Sequence, residues 1–96
     1  MRLVYLASAK PGLRWFHRYY TSVFMEGKAL ADRRFLAVQT LLKSNPRAGH
    51  ESEIVPGARE FPVPQTPFGF VYQIRDDRIE ILRVVDNRSD WRGGQK

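Results

Sequence analysis

Apolar and polar residues follow three separate patterns in the first half of the chain. Leu3 to Leu6 is a short apolar run followed by a turn that contains Pro and Gly, which is typical of a β-strand. From Leu13 to Phe24, and again from Lys28 to Lys43, large apolar side chains recur every three or four residues. This spacing predicts two helices. Asn45-Pro46 ends the second helix, and the short link at residues 25–27 predicts that the two pack as an antiparallel hairpin.

The second half of the chain has the two-residue period of β-strands, after a loop from Arg47 to Gly57 with little pattern. Three strands are predicted, at Arg59–Val63, Gly69–Arg75 and Arg78–Val85, and Asp76-Asp77 forms a tight turn between the last two. In the last strand, an uninterrupted period places four residues on one face: Ile79, Ile81, Arg83 and Val85.

The order of these elements indicates an α+β fold, β-α-α-β-β-β. In this fold a mostly antiparallel sheet carries an antiparallel helical hairpin on one face. A chain of 96 residues provides one small core, so residues 1–92 are expected to form a single domain. Residues 93–96 are expected to form a flexible tail.

The charge of the chain adds an expectation about its partners. The chain has 16 Lys and Arg against 10 Asp and Glu, a formal net charge of +6, and only four of the basic residues are lysines. The planar guanidinium of arginine binds phosphate or carboxylate through paired hydrogen bonds. The excess therefore indicates a polyanion or an acidic protein as partner, and an ordinary solvated surface explains it equally well.

Most signatures of enzymes and metal sites are absent from the sequence. There is no cysteine, and His17 and His50 lack the spacing of metal ligands, so we expect neither a metal nor another cofactor. No apolar run approaches the roughly 20 residues of a membrane span, and Lys10 and Pro11 interrupt the apolar start, so a cytoplasmic protein without a membrane partner is expected. Arginines on the predicted strands and tail remain as candidates, because they could stabilise the charge on a phosphate or simply bind a backbone. They are Arg59, Arg75, Arg78, Arg83, Arg88 and Arg92. Tyr72 and Trp91 lie between them in the sequence and are candidates for base stacking.

Four segments of the second half, taken in order, resemble the RelE/ParE toxin superfamily. Members typically show an Arg-Glu-Leu-Pro-like strand, a Tyr-Arg-aliphatic-aliphatic-Tyr strand, an Ile-Glu-Ile-Leu-Arg-Val strand and a closing His-x-Arg-Arg-Asp. The corresponding segments here are Ala58–Val63, Phe70–Ile74, Asp77–Val85 and Asn87–Trp91. Leu42–Gly49 is similar to the end of the family's second helix and its Pro-x-x-Gly turn. The family's fold is the element order given above.

The resemblance implies the toxin of a type II toxin–antitoxin pair, which the C-terminal segment of an antitoxin neutralises. One branch of the family cleaves messenger RNA on the ribosome, and the ParE branch poisons DNA gyrase. The nuclease branch uses a basic residue at the position of Arg59, which is kept, and an arginine immediately after the aromatic of the next strand, where Gly69 stands here. The family's frequent histidine is Asp86, and only Arg88 remains of the closing arginine pair. Losing a positioned charge-stabilising group costs catalysis about a hundredfold, so the ParE-like branch is favoured.

The resemblance thus predicts a toxin that inhibits gyrase and replication without catalysis of its own. Its expected target-binding residues are Arg59, Arg88, Trp91 and Arg92. The first alternative is a ribosome-dependent, metal-independent endoribonuclease that uses Arg59, Arg83 and Arg88. The second is an inactive or nucleic-acid-binding relative.

The expected partner is an acidic, partly disordered antitoxin segment that binds along the helical hairpin. Such a segment would bury apolar surface and pair with nearby bases. The candidate antitoxin-binding residues are Trp15, Tyr19, Arg33, Arg34 and Phe35. A stripe at the helical spacing of Phe35 is more often simply part of the core.

Overall fold

The computed structural model describes residues 1–23, 27–64 and 66–86, and of residues 19–23, 27, 28 and 31 the backbone alone. Within these ranges a single turn of 3₁₀ helix at Ala7–Ala9 precedes two α-helices, and five strands form one sheet. The helices are α1 (Lys10–Val23) and α2 (Gly27–Ser44), and the strands are β1 (Arg2–Tyr5), β2 (His50–Glu51), β3 (Arg59–Pro62), β4 (Phe68–Arg75) and β5 (Arg78–Asp86).

The strands lie in the order β1-β5-β4-β3-β2. β1 runs parallel to β5, and every other neighbouring pair is antiparallel. The predicted α+β class and the mostly antiparallel sheet are therefore confirmed. One strand was not predicted: β2 consists of two residues inside the expected loop and pairs with β3. Two residues are too few to show a period, and they become a strand only because β3 offers an unpaired edge.

Helix α1 begins at Lys10, three residues before the predicted start, because Pro11 and Gly12 belong to its first turn. Proline is accepted there, since the first N–H groups of a helix have no partner within the helix. At Gly12 a side chain is excluded, because a Cβ atom would lie 1.8 Å from the carbonyl oxygen of Val84. The Pro-Gly pair, which indicates a turn in the sequence, here allows α1 to pack directly against β5.

The two helices pack on each other and cover one face of the sheet. The rings of Phe16 and Phe35 stack with centroids 4.1 Å apart, and His17 lies beside Asp32, which is the pairing of an antiparallel hairpin. Against these helices lies the apolar face of the sheet, and the buried members of this core are Ala9, Phe16, Phe35, Val38, Leu42, Val63, Phe68, Phe70, Tyr72, Ile79, Ile81 and Val84. Among the described residues, no helix is long and apolar enough to cross a membrane.

A β-bulge divides β5 into two parts whose side chains alternate out of phase. Tyr72 pairs with Ile81 and Val71 pairs with Arg83, so Leu82 is an extra residue in β5. Ile79 and Ile81 pack under the helices, whereas Arg83 shares the opposite face with Val71 because directly paired residues point to the same side. The prediction that Ile79, Ile81, Arg83 and Val85 share a face is wrong for this reason. Val85 joins a second, smaller cluster with Ala58 and Val71 on the face without helices.

Candidate functional site

Arg59 is the predicted site residue that the structure describes most fully. Its Nε and Nη2 groups donate hydrogen bonds to the carbonyl oxygen of Gly49 at 3.1 and 2.7 Å, and Nη2 also donates to that of Arg47 at 3.2 Å. These contacts commit three of the five N–H donors of the guanidinium to the loop before β2. Within the described part of the chain, the two N–H groups of Nη1 remain for an outside partner. Arg59 lines a cavity of about 190 Å³ together with Arg47 and the acidic Glu51.

Tyr72 anchors the same loop from beneath. Its hydroxyl donates to the carbonyl oxygen of Pro46 at 2.7 Å and accepts from the N–H of Gly49 at 3.0 Å. No side chain fits at Gly49, because a Cβ atom would lie 2.5 Å from the carbonyl oxygen of Glu60. Tyr72 is completely buried, so its ring cannot stack on a base. Instead, Tyr72 holds the loop whose carbonyl oxygens bind the guanidinium of Arg59.

A buried carboxylate lies at the place where the nuclease branch would carry its second arginine. Gly69 lines a small cavity of about 90 Å³ together with His50 and Glu60. Glu60 is 6% exposed, accepts a hydrogen bond from the hydroxyl of Ser52 at 2.8 Å and lies 3.8 Å from His50 Nε2. A carboxylate at this place opposes the approach of a phosphate, since like charges repel.

Arg59 and Arg83 do not lie on the same side of the sheet. Arg59 pairs with Tyr72, whose ring is in the core under the helices, while Arg83 pairs with Val71 on the other face. Two positively charged groups on opposite faces of a sheet cannot bind one phosphate. Of the other predicted target-binding residues, Arg88, Trp91 and Arg92 lie outside the described residues.

Asp86 is a hydrogen-bond acceptor for Trp15. Its carboxylate is 8% exposed and accepts from the indole Nε1 at 2.8 Å, although the indole itself is 41% exposed. The two residues line a cavity of about 400 Å³. Arg83 is exposed at the edge of this cavity, and the remaining lining residues are Ser8, Pro11, Gly12, Val84 and Val85.

At the opposite end of β5, Glu80 binds Gln73 and Arg78. Gln73 donates to one carboxylate oxygen at 2.6 Å, and Arg78 Nε donates to the other at 2.9 Å. The hydrogen bond from Gln73 and then that from Arg78 lower the pKa of Glu80 below its ordinary value. Arg78, one of the arginines considered as a phosphate ligand, is thereby paired within the sheet.

The predicted antitoxin-binding residues have different environments. Phe35 is 5% exposed and belongs to the core. Arg34 is half-buried and donates from Nη1 to the carbonyl oxygen of Pro64 at 3.0 Å, whereas Arg33 is exposed. The side chain of Tyr19 lies outside the described residues.

A groove of about 380 Å³ separates the two helices next to β1. Leu36, which is 63% exposed, lies at its edge, and the other lining residues are Tyr5, Leu13, His17, Asp32, Phe35 and Gln39. Burial raises the pKa of Tyr5 to about 12, although Gln39 donates a hydrogen bond to its hydroxyl at 2.8 Å. Leu36 was missed in the sequence because it directly follows Phe35 and continues the apolar pattern of α2. Its exposure depends on how the helix is rotated.

No group of three or more metal-ligating side chains occurs in the part of the chain that the structure describes. The interior carboxylates Glu60, Glu80 and Asp86 each have a protein partner instead.

Comparison with known proteins identifies the family. The family model described as "ParE toxin of type II toxin-antitoxin system, parDE" matches residues 4–91. The chain is also similar to a solved structure titled "Chromosomal ParDE TA system from P. aeruginosa", with 25% sequence identity and a TM-score of 0.66 over 90% of this chain and 95% of that one. No curated protein sequence matches. The family model spans nearly the whole chain, so the resemblance seen in the sequence is confirmed: the chain belongs to the ParE-like toxins of type II toxin–antitoxin systems, in the RelE/ParE superfamily.

Proposed function

We propose that this toxin inhibits DNA gyrase without catalysis of its own. The observation that carries the proposal is that Gly69 and the buried carboxylate of Glu60 line the same small cavity. A nuclease of this superfamily would need positive charge there. The separation of Arg59 and Arg83 onto opposite faces of the sheet supports the same conclusion.

Target binding is assigned to Arg59, Arg88, Trp91 and Arg92, within a single domain of residues 1–92. Arg59 supports this assignment with the two N–H groups of Nη1, which its loop contacts leave unused. Its guanidinium is already oriented by three hydrogen bonds, so little side-chain entropy is lost when a carboxylate or phosphate binds.

A supercoiling assay with purified gyrase tests the target. The toxin should inhibit supercoiling, and the double substitution Arg88→Ala with Arg92→Ala should weaken this inhibition about tenfold or more. Lys43→Ala removes an exposed base on α2 and should inhibit like the unchanged chain. Normal supercoiling together with blocked translation would refute the proposal. New 5′ ends on ribosome-bound transcripts that disappear in Arg59→Ala would instead establish the endoribonuclease.

The partner that neutralises the toxin is proposed to be a cognate antitoxin with an acidic, partly disordered segment. The solved structure similar to this chain is described as a ParDE system, which supports such a partner. The groove between α1 and α2 supports its place, because an exposed leucine and the exposed base Arg33 lie on neighbouring turns of α2. The assigned residues remain Trp15, Tyr19, Arg33, Arg34 and Phe35.

Copurification with the product of an adjacent gene tests this partner. Leu36→Asp should weaken the complex about tenfold or more, since it places a charge in the groove and repels an acidic segment. Leu41→Asp is the matched control, because Leu41 is also a half-exposed leucine of α2 but does not line the groove. Equal loss of binding in the two variants would contradict binding through the groove.

A further inference from the structure

The exposed face of α1 carries three positively charged residues and no acidic one. Lys10, Arg14 and Arg18 follow each other at intervals of four residues, and all three are exposed. Residues four apart on a helix lie on one side, about 6 Å apart along the axis. We call Lys10, Arg14 and Arg18 the α1 stripe.

The α1 stripe has a cost for stability that no ion pair among the described residues offsets. Like charges four residues apart destabilise a helix, and a positive charge in the first turn opposes the helix dipole. Within the described part of the chain, none of the three makes an ion pair. Of the acidic side chains beside α1, Asp86 is buried and bound to Trp15, and Asp32 lies 3.9 Å from His17. Uncompensated charge in a straight line indicates an extended polyanion as partner.

Beside the α1 stripe, Trp15 provides a flat aromatic surface in a fixed orientation. Trp15 lies three residues before Arg18, so the two are neighbours on the helix surface, and its indole is held by the hydrogen bond to the buried carboxylate of Asp86 at 2.8 Å. The ring therefore forms a wall of the cavity of about 400 Å³ instead of rotating freely in solvent. Arg83 stands at the edge of the same cavity and makes no ion pair with any described residue.

We propose that the α1 stripe and the Trp15 cavity together bind a single-stranded nucleic acid. Lys10, Arg14 and Arg18 contact successive phosphates, one base stacks on the indole of Trp15, and Arg83 contacts the phosphate beyond it. A row of positive charges next to a stacking aromatic is the usual design of sites that bind single strands without reading sequence. An acidic peptide also explains the charges, and the antitoxin segment proposed above includes Trp15 among its contacts, so the two would compete for this indole. An oriented aromatic face at an open cavity favours the nucleic acid, because every base can stack on it. The inference does not rest on gyrase as the target.

Fluorescence anisotropy of labelled oligothymidylate and oligouridylate with the full chain tests the stripe. Each bound phosphate contributes about 0.7 to the slope of log affinity against log salt for single strands. The triple substitution Lys10→Gln, Arg14→Gln and Arg18→Gln should therefore flatten this slope by about 2. The matched control, with Arg2, Lys43 and Arg75 changed to Gln, removes the same charge from other exposed positions and should keep the slope. An equal effect of the two triples would overturn the proposal.

A pair of substitutions at Trp15 tests the cavity. Trp15→Phe and Trp15→Leu both lose the hydrogen bond to Asp86, so any loss of stability is shared, and only Phe keeps an aromatic face. Leu should bind the oligonucleotide about 5- to 100-fold more weakly than Phe. Equal binding by the two would refute base stacking. So would equal affinity for a duplex of the same length, or displacement of the oligonucleotide by polyglutamate at equal concentration. The tighter of the two oligonucleotides identifies the strand as DNA or RNA.

Discussion

Tyr72→Phe removes a single oxygen atom, and we expect it to weaken the fold far more than its size suggests. That oxygen donates to the carbonyl oxygen of Pro46 and accepts from the N–H of Gly49. Gly49 is buried, so its N–H loses its acceptor at a place that bulk water does not reach. A buried polar group left without a partner costs about 1–3 kcal/mol.

With two groups affected, one buried and one half-buried, the free energy of unfolding should fall by about 2–3 kcal/mol. In a domain of this size that lowers the melting temperature by roughly 10–20 °C. Urea unfolding followed by circular dichroism measures the change. An unaltered slope of the free energy of unfolding against urea concentration would show that the surface exposed on unfolding is the same in the variant. Tyr5→Phe is the control, because it also removes a tyrosine hydroxyl, but one that accepts a single hydrogen bond from the half-buried Gln39. It should cost at most about 1 kcal/mol. If Tyr72→Phe were no worse than Tyr5→Phe, the loop would not be held as described.

Three further predictions concern packing and pH. Gly12→Ala should cost at least about 3 kcal/mol in unfolding experiments, because its Cβ meets Val84, whereas Gly57→Ala should cost only about 1–2 kcal/mol for its φ of +83°, since it has open space around it. The pKa of Glu80 is lower in the folded protein than its unfolded value near 4.5, so its contribution to the free energy of unfolding is present above pH 4.5 and is lost as the pH falls through the folded pKa. Glu80→Gln should therefore make the free energy of unfolding depend less on pH on the acid side. Tyr5 has a pKa raised from 10.0 to about 12, so stability should fall as the pH rises through this interval, and Tyr5→Phe should reduce that fall. An unchanged curve in either variant would contradict the assignment.

The periods in the sequence were sufficient for the two helices and the three longer strands, since each buries one face over several turns or residues. They failed where a contact distant in sequence decides the conformation. Pro11 and Gly12 indicate a turn locally, yet they start α1 because β5 lies close enough to require a residue without a side chain. The bulge at Leu82 was not predicted, because the run Ile81-Leu82-Arg83-Val84-Val85 fits an unbroken two-residue period as well as a shifted one, and the pairing with β4 decides between them.

The candidate site was harder to predict, because arginine binds a backbone carbonyl with the same donors that bind a phosphate. Arg59 and Arg78 look alike in the sequence, and both are committed to partners within the fold, one to a loop and the other to Glu80. The family resemblance suggested positions, but a resemblance carries no information on which donors remain unused.

The bases without a partner in the described structure are more informative than those at family positions. Lys10, Arg14 and Arg18 belong to no motif of the resemblance, and Lys10 lies before the predicted start of the first helix, so their regular spacing on one helix was not predicted from the sequence. A polar helix face normally mixes both signs of charge, because neighbours of opposite sign stabilise the helix. A face of one sign lowers stability, and α1 keeps such a face next to an exposed indole whose orientation is fixed by a buried carboxylate. Charge that weakens the free protein and is set beside a rigid stacking surface is explained most directly by a partner that neutralises the charge and stacks on the surface.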